Sequence, residues 1–155
     1  MADARAKCDK AIALREALIP EFPEVLNYRV RMGECLLRSG QLKRAAGDIP
    51  GAAAEWRRGV SFYEGLKDRV GECVMFEAGC HALLSSVAGL RGSDVSAADG
   101  RAEVEKAMTM LRQLIALDYH DPELRIESCL EPLRARPDFQ LLMMDVVFPA
   151  EPFVP

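Results

Sequence analysis

Residues 36–59 constrain the fold more than any other stretch of the chain. Leu36, Gly40, Gly47, Asp48, Ile49, Ala52, Trp56 and Gly59 follow one another at helical intervals that are interrupted once. Gly40 offers no side chain where a second helix can approach closely, and Gly47-Asp48 has the composition of a turn. Pro50 suits the first turn of a new helix, where its missing N–H is not needed. Ala52, Trp56 and Gly59 then share one face of that helix in the order small, large, small. The pattern predicts two antiparallel helices joined by a short turn.

Composition extends this reading to the whole chain. The 155 residues suffice for one ordinary domain, half of them are hydrophobic and only 6% are aromatic. Abundant Ala, Leu, Arg and Glu favour helices packed through small residues, so the expected class is all-α. A formal charge of −4 gives no cationic footprint for nucleic acid. No run approaches the roughly 20 apolar residues that cross a bilayer. The opening Met1-Ala2-Asp3-Ala4-Arg5 carries an acid and no apolar stretch of signal-peptide length after it, which predicts an unexported chain. The five cysteines, at 8, 35, 73, 80 and 129, contain no Cys-x2-Cys pair and read as buried thiols in a reducing cytoplasm.

Four blocks follow from the punctuation. Residues 3–19 have helical periodicity through Ala4, Cys8, Ala11, Ile12, Leu14, Leu18 and Ile19, with a stop expected at Pro20-Glu21-Phe22-Pro23. Residues 24–65 are the hairpin. Residues 67–117 form a divergent second hairpin, whose first helix is apolar on more than one side and is expected to be the most buried. Within it Ser96-Ala97-Ala98-Asp99 resembles a capping box, and Ala107, Leu111 and Leu114 make a packing face. Residues 121–155 open short helices at Asp121-Pro122 and Arg136-Pro137 and end in an extended, proline-rich tail from Pro149.

The 36–59 spacing is similar to a tetratricopeptide (TPR) repeat, and Ala4-x3-Cys8-x2-Ala11 echoes its second helix. Longer stretches carry a closer likeness. Arg15-Glu16-Ala17-Leu18 through Glu21-Phe22-Pro23-Glu24-Val25 to Tyr28-Arg29, the Ala46–Ala53 turn, and Pro132-Leu133-Arg134-Ala135-Arg136-Pro137-Asp138-Phe139 through Phe148-Pro149-Ala150-Glu151-Pro152-Phe153 resemble the C-terminal TPR region of large bacterial serine/threonine protein kinases. The resemblance implies a TPR-like α-solenoid of antiparallel hairpins with a C-terminal cap, acting in protein interaction or scaffolding. Residues 3–19 are then half a repeat. Ser39, Lys43 and Glu64 depart from the repeat pattern. The glycine-rich loop, Val-Ala-x-Lys strand, His-Arg-Asp run and Asp-Phe-Gly of a kinase domain are absent, so no catalytic residue and no cofactor is expected here.

In such a hairpin the first helices line a concave groove. That assigns peptide binding to Glu34, Arg38, Gln41 and Arg44 of one repeat and to Phe76, Cys80 and Leu83 of the next, with the two arginines suited to an acidic motif. Two alternatives stand beside a protein or peptide partner. A purely structural cap would have residues 122–153 folded back over the last hairpin. A small enzyme or metal protein would use Cys73, Glu77, Cys80 and His81, whose spacing brings them toward one side of a helix, although a single straight helix seldom closes a tetrahedron. Ser85 and Ser86 read as packing residues, the methionines at 108, 110, 143 and 144 as core, and Glu103, Glu105, Glu127 and Glu131 as solvated partners of nearby Arg101, Lys106 and Arg125. The apolar face of residues 4–19 either supports a homodimer or packs on the hairpin that follows.

Overall fold

The computed structural model describes residues 2–66, 71–119 and 121–147. His120, the expected start of the third helix at 67–70, and the extended tail lie outside the described residues. Six α-helices run in order: α1 (Ala2–Glu21), α2 (Leu26–Ala45), α3 (Ile49–Glu64), α4 (Gly71–Ser85), α5 (Ala97–Ala116) and α6 (Pro137–Val147). Two short 3-10 turns, Pro122–Arg125 and Ser128–Leu133, lie between α5 and α6. Every regular element among the described residues is helical, as the composition requires.

The α2–α3 hairpin is held by two glycine–aromatic pairs in antiparallel register. Trp56 lies on Gly40 so tightly that a Cβ at Gly40 would sit 2.2 Å from its Nε1, and Tyr63 lies on Gly33 with a corresponding distance of 2.0 Å. Each ring also donates into the α2 backbone three residues before its glycine. Trp56 Nε1 donates to the Leu37 carbonyl at 3.2 Å and Tyr63 Oη to the Val30 carbonyl at 3.4 Å. Both rings are fully buried, so these bonds satisfy donors that water cannot reach. Burial pushes the Tyr63 phenol well above its ordinary value, with a smaller contribution from the nearby thiols. At the turn, Gly47 takes a φ of +81° and Asp48 caps α3 by accepting from the Gly51 amide at 2.9 Å. The Lys43 departure is explained by Glu55, which meets its ammonium at 2.5 Å between the two helices.

Successive helices pack on one another, and α4 touches α2 and the second 3-10 turn as well as α3 and α5. Its residues are buried without interruption from Met75 to Leu84. The Ser96–Asp99 capping box forms in full, the Ser96 Oγ accepting from the Asp99 amide at 3.1 Å and the Asp99 carboxylate from the Ser96 amide at 3.1 Å. Asp99 is accordingly held below the ordinary carboxylate value by its bonds to Ser96. Ala107, Leu111 and Leu114 face the core, while the methionines divide: Met108 and Met143 are buried and Met144 is exposed.

The first helix differs from expectation at its end. Pro20 lies inside α1, which continues to Glu21. Pro20 removes one amide donor in the last turn, but Phe22 still donates to the Leu18 carbonyl at 2.9 Å, and the chain turns only there. Of its apolar residues, Ile12 is buried and Cys8 and Ile19 pack with it on Met32, Cys35 and Leu36 of α2. Phe62 of α3 reaches the same cluster, and Arg58 pairs with Glu16. Leu14 on α1 and Phe22 just after it remain exposed.

Candidate functional site

The face of α2 and α4 that the sequence assigns to a groove is occupied by the chain itself. Residues 122–133 cross it as a strap. Leu124, Cys129, Leu130 and Leu133 are buried in the main core. Gly79 makes the crossing possible, because a Cβ there would lie 2.5 Å from Cys129 Sγ. Burial, reinforced by the Glu127 charge, pushes the Cys129 thiol up to about 12.

The assigned groove residues fall into four groups. Arg38 and Gln41 both donate to the hydroxyl of Ser128, at 2.7 and 3.2 Å, and Arg38 lies 3.8 Å from the Glu127 carboxylate. They hold the strap. Arg44 reaches the Ser86 hydroxyl, in the turn just after α4, at 3.0 Å. Phe76, Cys80 and Leu83 are buried, with Cys80 Sγ set against Gly59 of α3. Glu34 stands apart: it pairs with Arg31 at 2.8 Å and lines a recess of about 200 Å³. Glu72, Asp121, Glu123 and Glu127 form the rest of the acidic rim, over Phe76, Tyr119 and Leu124. Burial and then the Asp121 and Glu72 charges raise the Tyr119 phenol.

Cys73, Glu77, Cys80 and His81 do not converge. Cys80 turns toward α3, whereas His81 Nδ1 bonds the Glu103 carboxylate of α5. Among the described residues no three His, Cys, Asp or Glu side chains are placed to hold a metal ion. Cys80 and His81 part because adjacent residues on a helix point about 100° away from each other.

Glu103 and Glu105 on α5 and Glu127 on the strap have tertiary partners that local spacing did not reveal. Glu103 accepts from His81 and, at 2.8 Å, from Lys106. Burial raises its carboxyl, but those two donors outweigh it and leave the group below the ordinary value. Glu105 meets Arg136, which also chelates Asp138 at the start of α6 through Nε and Nη2, both at 2.9 Å. Ser85 and Ser86 turn their hydroxyls back to the carbonyls of Ala82 and Leu83, at 2.6 and 2.5 Å, in agreement with a packing role.

No protein-family model, curated protein or solved structure matches the chain. No helix among the described residues is long and apolar enough to cross a membrane. All five cysteines are free thiols.

Proposed function

We propose that this chain is a non-catalytic, TPR-like interaction and scaffolding module, the C-terminal unit of a helical array of the kind found in bacterial serine/threonine protein kinases, in which the chain's own strap takes the place of a peptide. The observation that carries this reading is the burial of Leu124, Leu130 and Leu133 against α4 and its neighbours. Three leucines at about 1.5–3 kcal/mol each represent about 5–9 kcal/mol of apolar burial. That equals the whole binding free energy of a micromolar ligand, about 8 kcal/mol. A competing peptide would have to supply this in addition to its own affinity, so the strap is a permanent wall and the module ends its array there.

A second surface supports partner binding without opening the strap. Glu34 and the other carboxylates of the acidic recess sit at the edge of the closed face, next to Arg31, the one cationic side chain of the recess among the described residues. That rim suits a basic segment of another protein.

A pull-down comparing the wild-type chain with Arg38→Glu/Arg44→Glu tests the first reading. The partner set is expected to be unchanged, because these arginines hold Ser128 and Ser86 and not a ligand. Loss of a partner with the melting temperature unaltered would return the binding role to the α2–α4 face and overturn the reading.

A further inference from the structure

The polar pair His81–Glu103 stands at the wall of a cavity of about 360 Å³ that the interaction reading does not use. Its size is that of a small-molecule site. His81 is only 3% exposed, in the stretch of α4 that is buried without interruption from Met75 to Leu84. Placing an imidazole and a carboxylate there costs stability compared with an apolar pair, so the fold alone gives no reason for it.

The walls carry charged groups of both signs. From α3, Arg57 and Ser61 contribute hydrogen-bond donors one helical turn apart. Arg57 Nη2 is held by the backbone carbonyls of Ser93 and Asp94, at 2.8 and 2.9 Å. That grip leaves its Nε and Nη1 for a ligand and fixes the guanidinium beside Asp94. The opposite wall carries mainly acceptors: Asp99 and Glu103 line it, together with the Lys106 ammonium, which is bound to Glu103 at 2.8 Å. Glu103 on Nδ1 requires the proton at that nitrogen, so the neutral ring offers its lone pair at Nε2. Asp94 adds a carboxylate from the loop, and Leu84 and Val95 are apolar surface in the same cavity.

We propose that this cavity binds a free α-amino acid with an apolar side chain. The ligand carboxylate meets Arg57 and Ser61, its ammonium meets Asp94 and His81 Nε2, and its side chain lies on Leu84 and Val95. An α-amino acid carries its ammonium and its carboxylate on one carbon, which suits a guanidinium held by backbone carbonyls at the residue that also brings a carboxylate to the cavity. A ligand with one charge leaves the other pole of the cavity unmatched. Recognition of both groups by charged side chains discriminates strongly, because a missing partner leaves a desolvated charge behind. This inference stands apart from the interaction reading, and neither depends on the other.

The test is an NMR titration of the full 155-residue chain, following the imidazole resonances of His81. The probes are L-leucine, L-valine and L-methionine, with N-acetyl-L-leucine and L-leucinamide as blocked controls. At least one of the free amino acids is expected to shift the His81 resonances saturably, with each blocked leucine at least about tenfold weaker than leucine, the loss of one charged hydrogen bond. Asp94→Asn suits the positive φ of 51° at this position, so the fold is kept. It is expected to weaken leucine about tenfold and to leave N-acetyl-leucine unchanged. Arg57→Gln gives the mirror result, weakening leucine and sparing leucinamide. Three free amino acids that leave His81 unmoved at millimolar concentration, or blocked leucines that bind as well as leucine, overturn the proposal.

Discussion

Replacing Gly40 by alanine should damage this protein although alanine is the better helix former. The added Cβ would stand 2.2, 2.6 and 2.7 Å from Nε1, Cδ1 and Cε2 of Trp56, all far inside van der Waals contact. The indole is fully buried and hydrogen-bonded, so it cannot swing aside as the end of a flexible chain could. Overpacking of this kind costs about 1–3 kcal/mol. Displacing the ring also strands the Nε1 donor that now reaches the Leu37 carbonyl, at about 1–3 kcal/mol for a buried unsatisfied group. The gain in helix propensity returns only about 1 kcal/mol. The expected net loss is about 3 kcal/mol, combining these terms at their middle values. Urea unfolding followed by circular dichroism measures it, and Gly65→Ala is the control, since a Cβ there meets nothing closer than 3.5 Å. In a Trp56→Phe background the cost of Gly40→Ala should fall by at least about 1 kcal/mol, because the smaller ring makes room. A Gly40→Ala protein as stable as the Gly65→Ala control would refute the close-packing account of the hairpin.

Three further outcomes follow from named contacts. Glu103 is held below the ordinary carboxylate value in the folded chain, so its contribution is present above the unfolded value near about 4.3 and is lost as the pH falls below it; wild-type stability measured from pH 6 down to pH 3 should therefore drop more steeply than that of Glu103→Gln, and parallel curves would exclude the pairing. In native protein, a thiol reagent at neutral pH should label the half-buried Cys8 and Cys35 before Cys80 and Cys129, which burial protects and whose thiols it raises; Cys129 reacting first would show the strap to be open. Asp48→Ala removes the acceptor for the Gly51 amide and should cost about 1 kcal/mol in chemical denaturation, a loss that Asp48→Asn should largely avoid.

The sequence made the hairpin legible because its signals are local. Gly40 and Trp56, the Gly47-Asp48 turn and the Ser96–Asp99 box each act within a few residues or across one tight turn, and periodicity reports such relations. The closed groove was not legible for the opposite reason. Arg38 and Ser128 are 90 positions apart, and the strap's 3-10 turns have no 3.6-residue pattern to show which side is buried. Assigning Arg38, Gln41 and Arg44 to a ligand followed from where the first helix of a hairpin faces, but internal acceptors reached them. In the sequence His81 groups with Cys73, Glu77 and Cys80 on its own helix, and Glu103 reads as a solvated charge. What joined them was the packing of α4 on α5, and a carboxylate on the fifth helix carries no local mark of the histidine it meets.

Amide hydrogen exchange in the strap tests the central claim most directly. The Leu124 and Leu130 amides bond the Asp121 and Glu127 carbonyls at 3.1 Å, within a segment whose side chains are core. If residues 122–133 are a permanent wall, these two amides exchange only through openings within about 1–2 kcal/mol of global unfolding, as the α4 amides do. Exchange of both at the rate of an exposed loop, with α4 still protected, would mean that the strap lifts from an intact hairpin and that the groove beneath it is open to partners.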